Sequence, residues 1–109
     1  DWGYAPDTVD GMRAIPSASR PDDYVLATGE THSVGDFCEL AFGEVGLDHR
    51  KHVVLDPEYA RPVDITETRG DPRKADRELG WKARTRFPDL VRVMVRAELE
   101  AIDSGATYG

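Results

Sequence analysis

The stretch YARPVD, residues 59–64, is where residue types and spacing come nearest to ligand chemistry. Pro62 follows Arg61, and its ring disfavours helical backbone in the preceding residue, so Arg61 is restricted to extended conformations. A guanidinium held in this way can grip a phosphate through two parallel hydrogen bonds. Asp64 stands three residues on, and a carboxylate there can accept hydrogen bonds from sugar hydroxyls. The same two residues also fit a local surface ion pair. Residue chemistry by itself leaves both readings open.

Other candidates carry plainer explanations. TGETHSVG, residues 28–35, places Thr28, Thr31, His32 and Ser33 at a helix start, where free N–H groups and the dipole favour anions. Ser33 is accounted for by capping, however, with Asp36 completing an acidic capping box. The stretch does not match the G-x-G-x-x-G dinucleotide fingerprint. His49 and His52 in DHRKH form an H-x-x-H pair without a neighbouring cysteine or carboxylate set of ligand spacing, so no metal is expected. The basic run Arg69, Arg73, Lys74, Arg77, Lys82, Arg84 and Arg86 is interleaved with Asp71, Asp76 and Glu78, as in a solvated helix face. No serine–histidine–acid set emerges. Tyr4, Tyr24 and Tyr59 are followed four places on by Thr8, Thr28 and Val63, so none begins a Tyr-x-x-x-Lys. No catalytic, cofactor-binding or metal-binding residue is therefore assigned.

The elements that must position these residues follow from periodicity. APDTVDGMRAI, residues 5–15, reads as a helix with Pro6 at its first turn, where no N–H is needed. YVLA, residues 24–27, reads as a buried strand. Ser33 opens a helix with Val34, Phe37, Cys38, Leu40, Ala41 and Val45 on its apolar stripe, and Gly46 stops it. Cys38 reads as a core residue. HVVLD (52–56) and VDIT (63–66) read as further short strands. GDPRKADRELGW, residues 70–81, is a helix cassette capped by Asp71, with Pro72 in its first turn and Gly80 as terminator. A last helix runs from about Phe87 to about Ile102, and residues 103–109 read as a flexible tail. The order is α/β in class, mostly helices with two or three short strands. So few strands cannot make a covered sheet, so this reads as part of a larger protein.

Bulk properties set the outer limits. The 109 residues allow one domain or a piece of one. With 39% hydrophobic and 32% charged residues, the chain is too apolar for disorder. A net charge of −7 argues against nucleic acid or an anionic membrane as partner. One cysteine, Cys38, permits no internal disulfide, so a reducing, cytoplasmic setting is expected. No apolar run is long enough for a membrane span.

Several segments together resemble the C-terminal part of the GDP-mannose 4,6-dehydratase family of extended short-chain dehydrogenase/reductases. They are DWGYAPDTVDGM, PDDYVLATGETHSVGDFCELAFGEVGLD, DPEYARPVD and GDPRKADRELGW, in that order over residues 1 to about 102. The resemblance implies the smaller, nucleotide-sugar-binding portion (1–102) of an enzyme whose Rossmann domain for NADP is absent from this chain. It implies conversion of GDP-D-mannose to GDP-4-dehydro-6-deoxy-D-mannose and water, with the catalytic residues upstream of Asp1. Arg61 is likened to the family arginine that contacts GDP. Asp64 stands where the family usually has glutamate, one methylene longer. An arginine usually precedes the position of Asp1. The family also carries a longer insert after GLDHRKH, and an apolar run where this chain has Thr66, Glu67, Thr68 and Arg69. The partners implied are a GDP-sugar, the Rossmann half and further copies of the chain. The rival reading is a non-catalytic, self-associating interaction module derived from a sugar-nucleotide epimerase or dehydratase.

Overall fold

The computed structural model describes residues 1–105. Among the described residues four α-helices form: α1 (Ala5–Ala14), α2 (Val34–Glu44), α3 (Arg73–Leu79) and α4 (Phe87–Asp103), with 3-10 turns at Ile15–Ser17, His49–Lys51 and Pro57–Tyr59. Two compact units divide the chain. Unit 1 is Asp1–His32 with Ile65–Phe87; unit 2 is Ser33–Asp64 with the chain from Pro88 onward.

In unit 1, Pro6 opens α1 and Asp7 lies in its first turn. Asp7 is buried. Its Oδ2 accepts the backbone N–H groups of Arg84 (3.1 Å) and Thr85 (2.8 Å), and its carbonyl accepts the indole N–H of Trp81 at 2.8 Å. One acidic residue thus joins α1 to the chain that follows α3. The helix α3 starts at Arg73, later than the Asp71 cap expected, with Pro72 at the cap position. Asp71 still serves the helix start, since its Oδ1 accepts the Arg73 backbone N–H at 3.1 Å. Gly80, at φ 66°, ends α3 in left-handed backbone, a conformation that costs glycine little. The turn directs Trp81 inward beside Ala75, and both are buried.

In unit 2, the Ser33–Asp36 capping box forms in both directions. Ser33 Oγ accepts the Asp36 N–H at 3.0 Å, and Asp36 Oδ2 accepts the Ser33 N–H at 2.9 Å. After α2, Asp48 accepts the Arg50 N–H at 3.0 Å, and His52 stacks on Phe42 with ring centroids 5.3 Å apart. Glu44 lies between Arg92 (3.6 Å) and Arg96 (3.5 Å) of α4. No residue of α2 is fully buried. Cys38, expected in a core, is half-buried. On α4, burial is confined to Phe87, Leu90 and Val91, while Met94, Leu99 and Ile102 are exposed. The helix α4 takes in Asp103, the first residue of the expected tail, and residues 106–109 of that tail lie outside the described residues.

The predicted strands at 24–27, 52–56 and 63–66 do not form; among the described residues the chain is helical, with no strand. The reason is hydrogen bonding. A strand exists only where a second extended segment completes its ladder. The segment after YVLA sends its amides elsewhere: the N–H groups of Thr28 and Gly29 go to the Asp1 carboxylate. Residues 50–69 are exposed throughout, and the 3-10 turn Pro57–Tyr59 interrupts them. β-propensity in Val53, Val54 and Val63 finds no partner there.

Candidate functional site

The opening junction at 28–33 is built by Asp1. Its carboxylate receives four hydrogen bonds: Thr28 N–H (3.1 Å), Thr28 Oγ1–H (2.8 Å), Gly29 N–H (2.9 Å) and Gly70 N–H (3.2 Å). The Asp1 nitrogen donates to the Thr68 carbonyl at 2.7 Å. The Thr31 hydroxyl lies 3.1 Å from both Glu67 Oε1 and the Thr68 carbonyl. Gly70 packs so closely that a Cβ there would overlap the Cβ of Ala27 and stand 3.1 Å from Val25 Cγ1. The hydroxyls of Thr28 and Thr31 are therefore occupied by the protein itself.

His32 lies flat on Phe87, with ring centroids 4.1 Å apart and planes 6° apart. Its carbonyl accepts the Trp2 indole N–H at 2.8 Å. Its Nε2 is buried without a hydrogen-bond partner, 3.6 Å from Glu30 Oε2. Packing thus fixes the junction more than capping does, and Ser33 is spent on its helix.

The cations of the basic run are mostly engaged locally. Arg73 grips Asp71 with Nε–Oδ1 at 2.9 Å and Nη2–Oδ2 at 2.7 Å. These charge-assisted bonds lower the Asp71 pKa to about 2. Lys74 reaches Asp22 at 2.8 Å and lies 4.8 Å from the centre of the Tyr24 ring. That hydrogen bond holds Asp22 below its usual range and raises Lys74. His49 and His52 gather no further ligands, and among the described residues no group of three or more His, Cys, Asp or Glu side chains could hold a metal. No helix is long and apolar enough to cross a membrane, among the described residues.

Arg61 and Asp64 occupy the exposed loop. Arg61 Nη2 lies 3.4 Å from Asp64 Oδ2, and the two side chains are 73% and 58% exposed. The contact is longer than the ~2.7–2.9 Å of a strong guanidinium–carboxylate bond. The guanidinium is thus oriented by its neighbour yet largely available to solvent. Both readings of the pair meet here: an ion pair exists, and it leaves the arginine accessible.

The family model described as GDP-mannose 4,6 dehydratase matches residues 1–94. The chain belongs to the GDP-mannose 4,6 dehydratase family. It is similar to GDP-mannose 4,6 dehydratase 1 of Arabidopsis thaliana, 44% identical over 100 residues covering 92% of this chain and 28% of that protein. The Drosophila melanogaster and Homo sapiens GDP-mannose 4,6 dehydratases are 38% and 37% identical over 117 residues, again covering 92% of this chain, and 30% and 32% of their own lengths. The longer match over the same share of this chain means that these two relatives carry residues it lacks. The chain spans about a third or less of the curated relatives it matches.

Within this GDP-mannose 4,6 dehydratase family member, Arg61 and Asp64 fall inside the matched residues. Sequence reasoning missed Asp1 and Asp7 as organisers of unit 1. For Asp7, the one local signal is an acid in the first turn directly after Pro6. For Asp1, whose partners lie 27, 28 and 69 residues away, local pattern offers none.

Proposed function

We propose that this chain is the nucleotide-sugar-binding part of a GDP-mannose 4,6-dehydratase, an extended short-chain dehydrogenase/reductase acting in the cytoplasm. The complete enzyme converts GDP-D-mannose to GDP-4-dehydro-6-deoxy-D-mannose and water. The observation that carries this reading is an accessible arginine, 73% exposed, within residues matched by the family model. In the proposed complex the Arg61 guanidinium turns its outer N–H groups to a diphosphate oxygen, with Pro62 limiting its backbone freedom. Asp64, whose Oδ2 lies 3.4 Å from Arg61 Nη2, stays beside the guanidinium and accepts a hydrogen bond from a ribose hydroxyl.

NADP supplies the complete enzyme with a hydride acceptor and donor. The residues of this chain do not fit that cofactor. The junction at 28–35 has no G-x-G-x-x-G, and its hydroxyls are already bonded to Asp1, Glu67 and Thr68. Hydride and proton transfer therefore fall to other parts of the enzyme, and the chain by itself is expected to give no turnover with GDP-mannose and NADP. Crystals of the complete protein soaked with GDP test the site. The proposal expects Arg61 within hydrogen-bonding distance of a diphosphate oxygen; an Arg61 directed away from every nucleotide oxygen sinks it.

A second reading, a self-associating interaction module, draws on Val54, Leu55, Tyr59 and Val63, which are 80% or more exposed. A contiguous exposed apolar surface marks an interface. A sizing column combined with GDP titration separates the readings, since discrete oligomers that ignore GDP favour the second.

A further inference from the structure

We infer that unit 1 carries a separate site for a small dianionic oxyanion of the phosphate or phosphomonoester class. The site is a cleft of about 150 Å³ whose lining includes Thr28, Arg73, Asp76, Trp81, Lys82 and Arg86. This lining brings together Arg73, Lys82 and Arg86, each of which has a carboxylate beside it: Asp71, Asp76 and Glu30 respectively. It is assembled from residues 28, 73–76 and 81–86 by the Gly80 turn and the Asp1 clamp.

The partners of the three cations differ in a telling way. Arg73 is committed to Asp71 at 2.7–2.9 Å and supplies only its field. Lys82 stands 3.4 Å from Asp76. Arg86 stands 3.5 Å from Glu30 and 3.3 Å from the Thr28 carbonyl. All three of these separations exceed the ~2.7–2.9 Å of a charge-assisted hydrogen bond. Lys82 and Arg86 thus keep donor capacity for an anion that can approach closer. Trp81, 8% exposed, forms an apolar wall, and its indole N–H is spent on Asp7. A low-dielectric wall beside two cations strengthens their attraction for an anion above its value in open water.

Size selects the ligand. Clefts that take drug-sized molecules run to ~300–1,000 Å³. A volume of about 150 Å³ suits one phosphate group with remnants of its hydration, not a nucleotide sugar. Arg61 is not among the residues that line this cleft.

Calorimetry on the complete protein, held in saturating GDP, tests the assignment. Inorganic phosphate should give a saturable, one-to-one isotherm that chloride at equal ionic strength does not reproduce. The double variant Lys82→Gln/Arg86→Gln should weaken it at least tenfold, with Lys82→Gln or Arg86→Gln alone changing it in the same direction. Glycerol phosphate run in parallel distinguishes an ester site from one for the free ion by which binds tighter. The inference is overturned by a phosphate isotherm indistinguishable from chloride, or by one that survives the double variant. Both side chains are more than half exposed, so the variants should fold, and an unchanged melting curve confirms it.

Discussion

The Asp1–Asp7 framework of unit 1 and the loop at 50–69 deal with polar groups in opposite ways. In the framework, two carboxylates collect backbone N–H groups from distant residues and leave few donors over. In the loop, every residue from 50 to 69 is exposed, and Arg61 stands 3.4 Å from Asp64 in an exposed ion pair. Unpaired buried N–H groups cost about 1–3 kcal/mol each, so the framework is where stability resides. An exposed guanidinium adds little to stability but remains able to meet a phosphate. The contrast separates residues that hold the protein from residues free to bind.

The largest expected effect lies in the framework. Asp7→Ala strands two backbone N–H groups and should destabilise the protein by roughly 2–5 kcal/mol, read from thermal unfolding. A loss under about 0.5 kcal/mol would mean that Asp7 does not organise unit 1. Gly70→Ala comes next. Its new methyl meets Ala27, and such overpacking costs about 1–3 kcal/mol. A neutral result would show that segments 24–27 and 70 are free to separate.

On the loop, Leu55→Ser should change stability by no more than ~0.5 kcal/mol, because Leu55 is 93% exposed. A loss above about 1 kcal/mol in the complete protein would break the comparison, by showing that another segment or a second copy covers this loop. The smallest effect concerns Asp71, whose pKa is lowered from 3.8 to about 2 by Arg73. A depressed carboxyl contributes stability that is present above pH 3.8 and is lost as pH falls through about 2. In a carboxyl NMR titration, Arg73→Ala should return the Asp71 midpoint towards 3.8; an unmoved midpoint would remove Arg73 as the cause.

Features written in short stretches were legible in the sequence. The Ser33–Asp36 capping box, the Gly80 stop and the start of α4 at Phe87 each depend on neighbours within a few residues. So does the Arg61–Asp64 pair, three residues apart. Features that need distant partners were not legible. Val53, Val54 and Val63 carry β-propensity, yet a strand is a property of two segments, and the described residues provide no second one. Val34, Leu40 and Val45 fit the apolar stripe of α2 and yet are exposed, because periodicity identifies a face and not what covers it. Asp1 and Asp7 act on residues up to 69 and 78 positions away, beyond any local pattern.

The central claim is that Arg61 binds nucleotide while arginines engaged elsewhere do not. Calorimetric titration of the complete protein with GDP-mannose, comparing Arg61→Ala with Arg73→Ala, measures this directly. Loss of a charged hydrogen bond worth ~1.5–3 kcal/mol predicts roughly 10- to 150-fold weaker binding for Arg61→Ala and an almost unchanged constant for Arg73→Ala. Equal affinities for the two variants would contradict the account.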